Sequence, residues 1–433
     1  MKSLWLDSLQ LPAFPPLEHD LDTEVVIIGG GLAGILTAYM LQQQGIDYAL
    51  VEADKICRGI SGNTTAKITS QHSLIYDRLL HEQGSERALM YYRANEQALA
   101  KYRELAASYD CDFESKSAFV YTLDQPQKIE REAAALTTLG CPFKMHEQLP
   151  LPFAVAAALE FTDQAQFNPV KLVAAIAADL RIYEQSMVRE ISPHQVIAGE
   201  HKIKTRQIIV TTHFPFINKH GAYFLKMYQH RSYVIALENA PAVGAMYVDE
   251  AEKGMSFRDY GDLLLLGGGD HRTGKEGGNW CELRDFAARF YPKAWERYAW
   301  AAQDCMSLDQ VPYIGRYGSS TPDLYVATGF NKWGMTSSMV AAQILSDLVA
   351  GRQPQFAEVF DPQRSMLKPR LLVNGFTALI NLLTISNKRC PHLGCALSWN
   401  DVEQSWDCPC HGSRFTKEGE LLDNPATGPA KVE

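Results

Sequence analysis

The residues most able to do chemistry crowd the C-terminal end of the chain. Cys390-Pro391-His392-Leu393-Gly394-Cys395 is followed, after 12 residues, by Cys408-Pro409-Cys410-His411-Gly412-Ser413, so a CxH pair precedes a CxxH pair. Two thiolates (Cys390, Cys408) and two imidazoles (His392, His411) are the set a mixed [2Fe-2S] centre needs, cysteine on one iron and histidine on the other. Neutral imidazole carries less negative charge than thiolate and raises the potential of its iron, so such a centre accepts electrons readily. Four Cys/His ligands also suit tetrahedral zinc. The doubled Cys-Pro dipeptides, the extra Cys395 and Cys410, and Gly394 and Gly412 do not follow from a zinc requirement. Ser413 is placed to donate a hydrogen bond to a bridging sulfide.

A second constellation lies near the N-terminus. Glu24-Val25-Val26-Ile27-Ile28 reads as a central parallel strand, enters Gly29-Gly30-Gly31-Leu32-Ala33-Gly34, and continues with helical spacing from Ile35 to Leu41. Gly29 permits the tight turn, Gly31 a close backbone approach to a pyrophosphate, and Gly34 close helix–strand packing. The phosphates would sit on free N–H groups at the helix start. A second strand, Tyr48 to Val51, ends at Glu52, where an acid accepts hydrogen bonds from the adenosine ribose. The fingerprint alone suits either FAD or NAD. The hydroxyl-rich segment Gly59 to Ala66, with Ser61, Gly62, Thr64 and Thr65, suits an extended cofactor and favours FAD.

These loops need elements to hold them. Helical spacing is expected over 82–107, Pro126 to Leu139 and Pro169 to Leu180, and strands over 118–121 and 207–210. From Gly221 to Gly269 the strand-like runs 233–237, 244–248 and 263–266, with Tyr228, Arg231, Tyr233 and Arg258 on or beside them, read as a largely antiparallel substrate layer. Leu324 to Thr328 is a further strand, and it leads into the loop Gly329 to Gly334 and then a helix through Met335 and Thr336. Free N–H groups at that helix start could stabilise electron density on a flavin pyrimidine oxygen.

The fingerprint Gly29 to Gly34, Glu52, Ser61 to Thr65, the run Asp309 to Gly315 and the loop Gly329 to Gly334 resemble the D-amino-acid oxidase/glycine oxidase superfamily of FAD-dependent oxidoreductases over about the first 365 residues. The resemblance implies an α/β FAD-binding fold, a glutathione-reductase-like Rossmann variant, with an antiparallel-sheet layer covering the flavin. It also implies removal of hydride from a carbon bearing an amine. Thr64-Thr65-Ala66-Lys67, Gln71-His72, Thr212-His213-Phe214-Pro215 and Lys332-Trp333-Gly334-Met335-Thr336 resemble a bacterial subgroup that fuses this fold to a C-terminal Rieske domain. The cysteine–histidine pairs match the Rieske pattern, in which Cys390, His392, Cys408 and His411 are ligands and Cys395 and Cys410 pair as a disulfide. In that setting His72 is expected to face the isoalloxazine ring and Lys332 its N5, Arg258 is a candidate carboxylate clamp, and Val188 completes the FAD contacts.

The expected organisation is an oxidoreductase domain over 1–365, a helical linker over 366–387 and a small all-β Rieske-type segment over 388–433. Within the first, FAD-binding parts occupy about 20–80, 170–215 and 305–365, and the substrate layer about 85–165 and 216–304. A Rieske domain normally has base strands before its first ligand, yet only 25 residues separate Arg364 from Cys390, and 371–383 looks helical. The base strands before the cluster are therefore expected to be missing.

Composition bounds the partners. A formal net charge of -9 without a long Lys/Arg cluster argues against nucleic acid and against an anionic membrane surface. The N-terminus does not read as a secretion signal, and the scattered Cys57, Cys111, Cys141, Cys281 and Cys305 read as buried thiols in a reducing cytoplasm. The apolar run Phe376 to Ile385 is too short to span a bilayer, so no integral membrane segment is expected. The leading expectation is a dehydrogenase of a small amine or amino acid, with electrons leaving through the [2Fe-2S] centre to a one-electron carrier protein or a quinone. The alternatives are a non-enzymatic electron-transfer protein and a paralogue whose Rieske part binds no cluster.

Overall fold

The computed structural model describes residues 2–432; Glu433, the last residue of the expected Rieske segment, lies outside them, as does Met1. The apolar strand Leu21–Ile28 sits inside a sheet with the order Tyr313–Arg316, Leu324–Thr328, His201–Val210, Leu21–Ile28, Tyr48–Val51, Ile182–Tyr183. Along this order all neighbours are parallel except the edge strand Tyr313–Arg316, and the hairpin Val188–Ser192 with Gln195–Ala198 adds two antiparallel strands beside His201–Val210. Val25 to Ile28 are buried on both faces, as the continuous β-branched run requires. The helices Leu32–Gln43 and Gly334–Val349 pack against each other beside this sheet, so loops from opposite ends of the chain meet at one edge.

The second sheet runs Trp295–Ser307, Met227–Glu238, Leu263–Arg272, Ser256–Tyr260, Met246–Asp249, Glu114–Thr122, Ala157–Gln166, Lys67–Ile68, with Lys144–His146 beside Ala157–Gln166. It is antiparallel apart from the pair Met246–Asp249 and Glu114–Thr122. Lys67–Ile68 extends this layer into the segment assigned by sequence to FAD alone. The helix expected from residue 82 begins at Ile75 and bends at Gly84, where φ is 82°. The strand expected from residue 244 begins at Met246 because Gly244 has a positive φ of 75°. Pro126–Leu139 is helical over the whole predicted span, ended by Gly140 in the left-handed region.

The C-terminal segment folds into a four-stranded antiparallel sheet, Ser398–Asn400, Ser405–Asp407, Arg414–Phe415 and Leu421–Asp423. Every strand follows the first cysteine–histidine pair, and the helix Pro369–Leu383 occupies the interval before it. Among the described residues no helix is long and apolar enough to cross a membrane. Cys57, Cys111, Cys141 and Cys305 are buried free thiols, whereas Cys281, expected with them, is exposed on the helix Asn279–Phe290.

Candidate functional site

A single cavity of about 1500 Å³ runs along the meeting line of the two large sheets and reaches the C-terminal segment. Gly29 and Gly31 lie at one end, where the helix Leu32–Gln43 starts without a side-chain cap. Gly29 has φ of 110°, a conformation open to glycine, and a Cβ on Gly34 would overlap the Gly29 carbonyl oxygen. Gly34 therefore shapes the turn from behind and does not line the cavity. Ser61 Oγ accepts from the Leu32 N–H at 2.9 Å, which marks an acceptor position at the helix start. Gly62 is likewise a packing position, since a Cβ there would collide with the Cys57 carbonyl.

The Glu52 carboxylate lies across the glycine turn and accepts from Gly30 N–H at 2.6 Å and Asp54 N–H at 2.9 Å. Burial pushes its pKa up, against the pull of those amides. Thr64, Thr65 and Val188 line the cavity farther along, and Gly329, Gly334 and Met335 approach from the other chain end. The helix Gly334–Val349 also starts without a side-chain cap, leaving its first N–H groups toward the cavity. These features fit an extended dinucleotide: uncapped helix starts, close-approach glycines and an acid one strand away.

His72 joins the two halves of this cradle. Its Nδ1 is 2.6 Å from Tyr91 Oη and its Nε2 is 2.9 Å from Thr336 Oγ1, while its ring stacks on Trp333. Burial pushes its pKa down to about 3, so the imidazole is neutral. Both nitrogens are engaged, and Thr336 holds the loop through His72 without lining the cavity.

Arg258 corrects the expectation of a carboxylate clamp. Its side chain is 0% exposed and outside the cavity wall, and Nη1 donates to the carbonyls of Thr65 at 2.8 Å and Ala66 at 2.7 Å. It braces the hydroxyl-rich segment from below through those two carbonyls. Lys332 does reach the cavity, where its Nζ pairs with Asp270 at 2.7 Å. Burial alone would lower the Lys332 pKa, but Asp270 and Asp304 outweigh it and the amine is held charged. Burial raises Asp304 to about 6 despite the nearby Lys332.

Three participants were given no role by the sequence, although Lys67 closes the motif Thr64-Thr65-Ala66-Lys67. Lys67 is buried and lines the cavity, and burial with the neighbouring Arg258 lowers it to about 7. Asp270 sits in the strand Leu263–Arg272, where it is the first polar residue after four leucines and three glycines. Glu403 comes from the C-terminal segment and forms a buried ion pair with Arg231, whose Nε donates to Oε1 at 2.8 Å. Tyr233 Oη and Arg414 Nη2 also donate to Glu403, each at 2.9 Å. Burial would raise Glu403, but Arg231 and Arg414 hold it down at about 2.

The C-terminal cysteine–histidine pairs come together as one centre. Cys395 and Cys410 are joined as a disulfide, and Cys390 and Cys408 remain free and buried. Cys408 Sγ lies within 4.8 Å of the disulfide sulfurs, which are already bonded to each other and leave Cys408 as the thiol of that trio able to bind metal. Contact with Cys408 pulls Cys390 below the usual thiol range, while the same contact and burial push Cys408 well up. The His392 and His411 rings lie 4.9 Å apart, and both Nδ1 atoms are buried without a hydrogen-bond partner. Burial lowers His392 to about 4 and His411 to about 3, so both imidazoles are neutral. Two free thiols and two orphaned imidazole nitrogens fit a mixed [2Fe-2S] centre. Ser413 Oγ accepts from Ala426 N–H at 3.0 Å and also contacts Cys390.

The body of the protein grips these loops. Gln229 Nε2 donates to the His411 carbonyl at 2.7 Å, and Gln303 Nε2 to the Gly412 carbonyl at 2.8 Å. Arg272 donates to the carbonyls of Pro409 and Cys410, each at 3.1 Å. Asn424 Nδ2 donates to the Phe214 carbonyl at 3.0 Å, beside the strand end Thr212-His213.

Fold and site together define a flavoprotein oxidoreductase that carries a Rieske iron–sulfur domain. The chain belongs to the FAD dependent oxidoreductase family, whose pattern matches residues 24–348, and the Rieske [2Fe-2S] domain pattern matches residues 350–432. Its cofactors are FAD and a [2Fe-2S] cluster. The chain is similar to the Rieske 2Fe-2S iron-sulfur protein YhfW of Bacillus subtilis (strain 168), 34% identical over 495 residues that cover 99% of this chain and 97% of that one. That alignment is longer than the 433 residues present here, so the relative carries stretches with no counterpart in this chain. In fold it resembles glycine oxidase from Geobacillus kaustophilus, with a TM-score of 0.67 at 18% identity, covering 80% of this chain and 99% of the other. L-proline dehydrogenase from P. horikoshii gives a TM-score of 0.67 at 16% identity, covering 80% and 98%.

Proposed function

We propose that the chain dehydrogenates a small amine or amino acid inside the cavity and that the electrons leave through the [2Fe-2S] centre to a carrier protein or a quinone. The observation that carries this reading is the shared cavity: its wall includes Gly29 and Gly31 at one end and Glu403, Arg414, Asp423 and Asn424 of the C-terminal segment at the other. Bound there, FAD supplies a hydride acceptor and the cluster a one-electron outlet.

The chain's own residues divide the remaining work. Gly29, Gly31 and Ser61 would hold the pyrophosphate and Glu52 the ribose, with Thr64, Thr65, Val188, Gly329, Gly334 and Met335 along the cofactor. Gly34, Gly62, Thr336 and Arg258 hold those segments in place from behind, and His72, in the cavity wall, would face the isoalloxazine ring. Cys390, His392, Cys408 and His411 would ligate the cluster. An amine must be neutral before hydride can leave the adjoining carbon, and Lys67, lowered to about 7, is able to take the proton from a substrate ammonium. Lys332, held charged by Asp270, offers a cation to a substrate carboxylate. The buried free thiols Cys57, Cys111, Cys141 and Cys305 support a cytoplasmic setting.

Anaerobic mixing with a panel of amines and amino acids, followed at the flavin band, tests this. A substrate should bleach the band at a rate that rises with pH through about 7, and Lys67→Met should flatten that rise. Failure of every amine to bleach the band would sink the reading in favour of an electron-transfer protein.

A further inference from the structure

The helix Pro369–Leu383 is built the wrong way round for a helix that packs on a protein core. Arg370, Asn374, Thr377 and Asn381 recur at spacings of 4, 3 and 4 and form one stripe; Leu372, Phe376, Leu379 and Leu383 recur at the same spacings and form the opposite stripe. The polar stripe is the one bound to the body. Arg370 Nη1 donates to Tyr228 Oη at 2.8 Å, Arg272 Nη1 donates to Asn374 Oδ1 at 2.9 Å, and the Asn381 carbonyl accepts from Ala396 N–H at 3.0 Å. The apolar stripe faces outward, with Leu372 78%, Phe376 65% and Leu383 73% exposed, and Ile385 just beyond is fully exposed. Scattered exposed leucines need no explanation, but a fixed helix presenting its whole apolar stripe does.

The local charge is as distinctive as the apolar face. No Asp or Glu occurs over 362–400, in a chain whose formal net charge is -9. Arg370 lies at the helix start, and Lys388 and Arg389 follow its end. Their contacts are a phenol, an indole ring and backbone carbonyls, none of which cancels their charge. Net charge argued against an anionic membrane; charge acts over about 10 Å in ordinary salt, so, with Arg364 and Lys368 already paired to Asp309 and Glu82, Lys388 and Arg389 at the helix end set the local interaction.

We propose that this helix docks the protein on an anionic lipid surface. The apolar stripe enters the interfacial layer, and Lys388 and Arg389 beyond the helix end meet headgroups. At 15 residues the helix is about 22 Å long, short of the roughly 30 Å hydrocarbon core, so it lies in the plane of the membrane. A second copy of the chain is the poorer occupant. Two such helices paired in either direction would bring like-charged ends together. Docking also brings the Cys390–Cys395 loop to the membrane boundary, since Leu382 lies against Gly394 and Leu393 is exposed beside His392.

The test is flotation of the full-length holoprotein with vesicles. The protein should float with equal parts phosphatidylglycerol and phosphatidylcholine, fail to float with phosphatidylcholine alone, and detach in molar salt. The double substitution Phe376→Asp and Leu379→Asp should weaken binding about tenfold or more, because burying a charge in place of those side chains removes the apolar contribution. Both residues are exposed, so the flavin spectrum and melting temperature should not change. No flotation of the wild type, equal flotation on uncharged vesicles, or unaltered flotation of the substituted protein overturns the proposal. So does a dimer in light scattering that the substitutions abolish while neither protein floats. Should the substituted chain not fold, the lipid and salt dependence of the wild type decides alone.

Discussion

The two cofactor regions are supported in opposite ways. At the flavin end each loop leaves the end of a buried parallel strand and enters its own helix, so Gly29 to Gly34 and Gly329 to Gly334 are positioned by neighbours in sequence. At the cluster end the strands are two or three residues long and all follow the first ligand loop. Its second ligand loop is held by Gln229, Arg272 and Gln303, side chains of the substrate sheet that bond the carbonyls of residues 409–412. The lesson is that a metal centre needs rigid outer support, and the support can come from a neighbouring layer when its own scaffold is short.

The largest effect that separates the two regions is expected from Cys408→Ser. Iron and acid-labile sulfide should fall to background while flavin content stays, because Cys408 is a free thiol of the centre and does not line the cavity. Flavin lost together with iron would break the contrast. Glu403→Gln tests the borrowed support next. It leaves Arg231 and Arg414 buried without their shared carboxylate, a change that costs about 3–5 kcal/mol. Cluster retention and the melting temperature should both fall. The same carboxylate gives a pH signature: its folded pKa, about 2, lies below the ordinary 4.5, so its stabilisation is present above pH 4.5 and is lost as pH falls toward 2. An acid melt in which the cluster is released in that window, before the flavin, checks it. The smallest effect is expected from Gly34→Ala, where the new methyl meets the Gly29 carbonyl. It should cost about 1–3 kcal/mol by overpacking and lower flavin affinity without touching the iron content.

Legibility followed the same divide. The first strand, glycine turn and helix, and the second strand Tyr48–Val51, were readable because each is a local pattern whose meaning does not depend on distant residues. The interval before Cys390, read as helical over 371–383, is the helix Pro369–Leu383. Arg258 was misread because a strand residue beside tyrosines looks alike whether it faces a ligand or backbone carbonyls. Lys67 was named only as part of a motif and Glu403 not at all, since burial gives them their character, and burial is a property of the packed chain.

What the sequence by itself determined is therefore the chemistry of short segments: the cofactor turn, the cysteine–histidine pairs, and the fact that Pro369–Leu383 has one polar and one apolar stripe. Only the tertiary structure decided that Arg231 and Glu403, 172 positions apart, share a buried ion pair, and that the polar stripe of the helix faces inward. Periodicity reports which residues share a face, but the partner that covers a face is chosen by packing among elements remote in sequence.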